Sequence, residues 1–142
     1  MATAVDAALP ADAAILVAAV ADWHADAAGQ KLKKDATAPA LTLVENPDIL
    51  AGLARRADRP RLLIGFAAET ERVIEHAVIK RLRKGCDWIV ANDVSGPTGA
   101  GVMGGARNTV HLVTDAGVES WEELPKEEVA RRLIERVAAT LA

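Results

Sequence analysis

Three runs of apolar residues set the framework of the chain: AAILVAAV at 13–20, RLLIGF at 61–66 and DWIVA at 87–91. Each is continuous rather than alternating, the pattern of a strand covered on both faces of a parallel sheet. A fourth segment, NTVHLVT at 108–114, also reads as a strand, LTLVE at 41–45 as a short one, and 118–122 as a short strand or turn. Helical patterns fall between them. Residues 4–8 read as the last turns of a helix stopped near Pro10. Asn46-Pro47-Asp48 is a helix start, with Asn as cap, Pro at the first helical position and an acid in the first turn, for a helix reaching about Ala57. Thr70 is placed to cap a helix over 71–84 that ends at Gly85. Leu124-Pro125 opens a last helix to Leu141, with Val129, Leu133, Val137 and Leu141 at four-residue steps. Residues 22–40, and the glycine-containing stretch from Asn92 to Arg107, read as loops.

Strands alternating with helices predict right-handed βαβ units. The expected fold class is α/β: a Rossmann-like three-layer α/β/α sandwich with a mostly parallel sheet. Ligands of such sheets bind beyond the carboxyl ends of the strands. Those ends are Ala21-Asp22, Phe66 to Glu69, and Ala91 to Val94.

Composition narrows the class. The 142 residues suffice for one domain with a core, and 51% hydrophobic content argues against disorder. Aromatics are only 3%, so aliphatic residues must supply most of the core. A net charge of -3 disfavours a broad nucleic-acid surface while leaving room for a local basic site. Cys86 is the sole cysteine, which rules out an internal disulfide. No apolar run approaches the roughly 18 residues of a membrane span, and no signal peptide is read, so the expectation is a cytoplasmic protein without membrane or nucleic-acid partners.

Several residues carry candidate chemistry, each beside a plainer reading. Asp22 follows a buried strand and suits a ribose hydroxyl, a base amino group or a metal; a loop acid is the alternative. Lys31, Lys33 and Lys34 form a basic tip on a long segment, suited to phosphate or to a solvated loop. The N–H groups at Asn46-Pro47-Asp48-Ile49 suit an anion or simply open a helix. Phe66, the only phenylalanine, suits stacking on a base or filling the core. Lys80 and Lys84 project from one side of a helix. They suit phosphates, although the far end of a crossover helix should lie away from the strands' carboxyl edge. Asn92 and Asp93 suit a substrate or a turn. His24, His76 and His111 show no metal-ligand spacing.

The motifs AAVADW, KLKK, VENPDIL, GFAAET, KGCDWIVANDVS and RNTVHLV occur in that order. Together they resemble the phosphopantothenate–cysteine ligase family, from about Ala13 onward. That family resemblance implies CTP-dependent joining of 4'-phosphopantothenate to L-cysteine through an acyl-cytidylate, with Mg2+ accompanying the nucleotide. It implies a homodimer, and FMN only in a decarboxylase half absent from this chain. By motif, Lys31 matches the catalytic flap lysine, on a flap at about 23–40. Leu16, Val17, Ala18, Asp22, Lys31, Pro47, Asp48, Ile49, Leu50, Phe66, Lys80 and Lys84 match nucleotide contacts. The family's Asn-Arg-Ser-Ser-Gly stretch has no counterpart in residues 1–15. The expectation is therefore a single N-terminally truncated ligase domain over residues 1–142 that binds CTP and is incomplete for turnover alone. The alternative is a noncatalytic Rossmann-like nucleotide-binding or dimerisation module. A nicotinamide-dependent oxidoreductase is disfavoured, because no GxGxxG joins a strand to a helix and no tyrosine is present.

Overall fold

The computed structural model describes residues 1–26, 41–94 and 105–142. The chain divides into two compact units, Met1–Ala18 with Ile49–Ala142, and Ala19–Asp48.

The larger unit is built on a five-stranded sheet. Its strands are β1 (Ala13–Leu16), β4 (Leu62–Glu69), β5 (Trp88–Asp93), β7 (Val110–Val113) and β8 (Val118–Ser120), in the order β1-β4-β5-β7-β8. β1, β4 and β5 are parallel neighbours; β7 runs against β5, and β8 against β7. Four of the five strands thus share one direction, with β7 reversed. β7 and β8 form a hairpin joined by a short turn at Gly117, whose φ of 133° suits glycine.

Helices cover both faces. α4 (Lys126–Leu141) packs Val129, Leu133 and Val137 against Leu62, Ile64, Trp88, Val90, Val110, Leu112 and Trp121. The opposite face carries Leu63, Ala67, Ile89, Ala91 and Val113, packed with Leu53 of α2 (Ile49–Ala54) and Ala77 of α3 (Val73–Lys84). Val5 of α1 (Ala2–Ala7) and Leu9 join that layer. The alternation of neighbouring residues to opposite layers is the pleat of a strand buried on both faces. The expected three-layer α/β/α sandwich is therefore present. Two of the three tryptophans, Trp88 and Trp121, join its aliphatic core.

Local expectations differ in places. The apolar run 13–20 forms a strand only over Ala13–Leu16, a half-buried edge strand, and Val17 to Val20 are exposed. Thr70 does not cap α3. Arg72 holds the cap position in a left-handed conformation with no side-chain cap bond, and its guanidinium pairs instead with Glu75 in the first turn. Gly85 ends α3 with φ 68°, as expected, its N–H donating to the Arg81 carbonyl. Among the described residues, no helix is long and apolar enough to cross a membrane.

The smaller unit contains an antiparallel ribbon of β2 (Trp23–Ala25) and β3 (Leu43–Glu45), pairing Trp23 with Glu45 and Ala25 with Leu43. Asn46 fastens its base: the backbone N–H donates to the Asp22 carbonyl and the side-chain amide to the Ala21 carbonyl, both at 2.8 Å. Asn46 is thus a ribbon clasp rather than a helix cap. α2 begins at Ile49, directly after Asp48, so Pro47 lies before the helix rather than at its first position.

Candidate functional site

In the larger unit, the carboxyl ends of β1, β4 and β5 lie side by side. Leu16 ends β1 opposite Gly65; Phe66 is matched with Val90, Ala68 with Asn92, and Glu69 with Asp93. This edge is where a parallel sheet offers ligands free backbone groups. α2 is pressed onto it by a close approach at Gly65, where a Cβ would stand 2.6 Å from Leu50 Cδ2 and 3.0 Å from Ile89 Cδ1. A Cβ here would meet the tips of the Leu50 and Ile89 side chains, which would have to shift to admit it. Leu50 and Ile49, both half-buried, bring the start of α2 to β4.

Phe66 is half-buried and packs against the core layer beneath α4. Asn92 is on the same face, because residues 88, 90 and 92 alternate onto it. Its Oδ1 is buried, with no hydrogen-bond partner among the described residues. Asn108 Oδ1, on a residue only 8% exposed, is likewise unpartnered among the described residues. A buried acceptor without a donor is costly, and a ligand N–H or O–H would relieve that cost. Asn92 was legible as a strand-end residue. Asn108 was not, because nothing in its local sequence announces its burial.

On the opposite face, Lys80 Nζ lies 3.7 Å from Glu69 Oε1, and His76 Nδ1 lies 3.6 Å from Glu69 Oε2. Lys80 is therefore at the carboxyl end of β4. The geometric objection from its place on α3 does not hold for this residue, since helical side chains lean toward the helix N-terminus. His76, which shows no metal-ligand spacing in the sequence, belongs to this cluster. Lys84 is half-buried one turn further along α3. Val17 and Ala18 are exposed just beyond β1.

Asp22, Pro47 and Asp48 belong to the smaller unit and are exposed. Lys31, Lys33 and Lys34 lie outside the described residues, as does most of the expected flap and most of the glycine-containing loop. His24 stands 3.9 Å from Asp26 on the exposed ribbon, and His111 Nδ1 is 2.8 Å from Ser120 Oγ across β7 and β8. Cys86 is buried, and that burial pushes its thiol above the ordinary range, so it is poorly suited to act as a nucleophile. Among the described residues no group of three or more His, Cys, Asp or Glu is placed to hold a metal.

The sequence matches, over residues 1–141, the family described as the DNA/pantothenate metabolism flavoprotein C-terminal domain. It is 45% identical over 104 residues to the coenzyme A biosynthesis bifunctional protein CoaBC of Escherichia coli strain K12, covering 70% of this chain and 25% of that protein. To the protein of the same name from Mycolicibacterium smegmatis it is 39% identical over 143 residues, covering 92% of this chain and 34% of the relative. The fold superposes on the crystal structure of the C-terminal domain of a coenzyme A biosynthesis bifunctional protein CoaBC with a TM-score of 0.63 and 32% identity, covering 89% of this chain and 54% of that one. The chain thus spans a quarter to a third of these curated relatives.

Proposed function

The chain belongs to the family of the DNA/pantothenate metabolism flavoprotein C-terminal domain, and on that premise we propose that it is the CTP-binding part of a phosphopantothenate–cysteine ligase acting in coenzyme A biosynthesis. The observation that carries the reading is the set of side-by-side carboxyl ends of three parallel strands, with Lys80 beside Glu69 at the end of β4 and the buried Asn92 Oδ1 near the end of β5. Similarity to coenzyme A biosynthesis proteins supports the choice of reaction.

The proposed chemistry has two steps. The carboxylate of 4'-phosphopantothenate attacks the α-phosphorus of CTP; a C–O–P linkage forms, the bond to the β-phosphate breaks, and diphosphate leaves. The amine of L-cysteine then attacks the activated acyl carbon, an amide forms, CMP departs, and the amine gives up a proton. Both leaving groups are anionic, so fixed cations near the phosphates stabilise the developing charge. Lys31 is assigned that catalytic role, with Lys80 and Lys84 as further phosphate contacts. Phe66 offers a ring for the base or sugar. Leu16, Val17, Ala18, Asp22, Pro47, Asp48, Ile49 and Leu50 are assigned to the nucleoside. Asn92 Oδ1 is a natural acceptor for a nucleotide N–H or O–H. Magnesium is assigned to the triphosphate, which suits an ion that prefers phosphate and water oxygens to an all-protein cage. FMN is assigned to the decarboxylase half of the bifunctional relatives and not to this chain.

The same reading includes a cytoplasmic homodimer. Trp23 and Leu43, on one face of the ribbon, are 55% and 57% exposed. A two-stranded ribbon is marginal by itself, so a second copy covering these side chains supports the dimer.

Diphosphate release on mixing CTP, 4'-phosphopantothenate and the protein tests the reaction. Release that requires phosphopantothenate, and that falls about a hundredfold or more in Lys31→Gln, is the expected result. An unchanged rate in Lys31→Gln contradicts its assignment. A second reading, CTP binding without turnover by a chain that spans only a quarter to a third of its relatives, predicts bound CTP and no diphosphate.

A further inference from the structure

Glu69 is the last residue of β4 and stands opposite Asp93, the last residue of β5. Its side chain falls on the α3 face, following Leu63 and Ala67 in the alternation of the strand. Two α3 residues one turn apart divide its carboxylate between them, His76 at Oε2 and Lys80 at Oε1. The Glu69 and Lys80 side chains are only 23% and 29% exposed. Lys80, a candidate phosphate contact, is therefore already engaged by a carboxylate of its own chain.

We infer that Glu69 is a built-in competitor for the Lys80 ammonium, an affinity-setting residue that a phosphate-bearing ligand must displace. The inference rests on the nucleotide reading above. A carboxylate in contact with Lys80 lowers the positive potential that an incoming polyphosphate meets. His76 Nδ1 stands 3.6 Å from the carboxylate's second oxygen. The consequence is weaker retention of anions, products included. A ligase that releases two anionic products, diphosphate and CMP, is slowed by uncompensated cations that hold them. Because the effect runs through Lys80, it disappears when Lys80 carries no charge.

A double-mutant cycle tests this by calorimetric titration of CTP into the unaltered chain, Glu69→Gln, Lys80→Met and the double variant. Glu69→Gln is expected to tighten CTP roughly fivefold, the scale of one partly exposed ion pair. The same change in the Lys80→Met background is expected to alter affinity by no more than about twofold. Glu69→Ser serves the same comparison if the glutamine variant does not fold. Weaker or unchanged binding in Glu69→Gln overturns the inference, and so does equal tightening without Lys80, which reports general repulsion instead. If CTP binds the unaltered chain and Glu69 has no effect, only this inference fails. If CTP does not bind the unaltered chain, the nucleotide reading fails and takes this inference with it.

Discussion

Gly65 shows how one residue can position a ligand edge. Its missing Cβ leaves the space filled by Leu50 of α2 and Ile89 of β5. Gly65→Ala is expected to cost about 1–2 kcal/mol of stability through overpacking, read as a lower urea midpoint. Leu50→Ala vacates the space, so the two changes together should cost less than their sum. A sum that is simply additive would contradict the contact. The sequence placed Gly65 beside Phe66 at a strand end, but the side chains that a Cβ would meet lie across the fold. The partners of Glu69 and the burial of Asn108 were hidden for the same reason. The ion pair of Glu69 joins a strand end to a helix two turns in, and the burial of Asn108 depends on tertiary packing. Asn46 was misread because its amide has two local options, a helix cap and a ribbon clasp, and only the ribbon partner at Ala21 decides between them.

α4 was the most legible element. Its four-residue apolar spacing predicted the buried stripe of Val129, Leu133 and Val137. Leu133→Ala should therefore cost about 2–5 kcal/mol, measured by equilibrium unfolding. Its polar side is tied by Arg136 to Glu119 at 2.7 Å and by Arg132 to Glu122 at 3.1 Å. The Arg131 guanidinium hydrogen-bonds Glu128 and holds its carboxyl down at about 2. A carboxyl depressed in the folded state stabilises above its unfolded value, about 4.3, and that contribution is lost as pH falls toward 2. The melting temperature of Glu128→Gln should thus lie modestly below that of the unaltered chain at pH 7, and the gap should close on acidification. A gap that is constant with pH would contradict the pairing. β1 was less legible because Ala-rich apolar residues do not mark where a strand leaves the sheet. Only the register with β4 ends it at Leu16. The reversed direction of β7 is likewise seen only in its antiparallel pairing with β5 and not in its apolar pattern.

For the whole molecule, the sandwich was readable because alternating strands and helices admit few arrangements. The smaller unit was not, since LTLVE reads equally well as a strand of the main sheet, yet pairs with Trp23–Ala25 in a ribbon of its own. The proposed homodimer belongs to this scale. Sedimentation should give twice the chain mass, and Trp23→Glu with Leu43→Glu should give the monomer while leaving the sandwich folded. A dimer unaffected by both changes would place the interface elsewhere. The central claim is that this chain recognises cytidine triphosphate, and calorimetry with CTP, ATP, UTP and NADH at matched salt tests it most directly. The account predicts a saturable CTP isotherm with clear preference over the other three nucleotides. Absence of CTP binding at millimolar concentration, or equal affinity for all four, would contradict it.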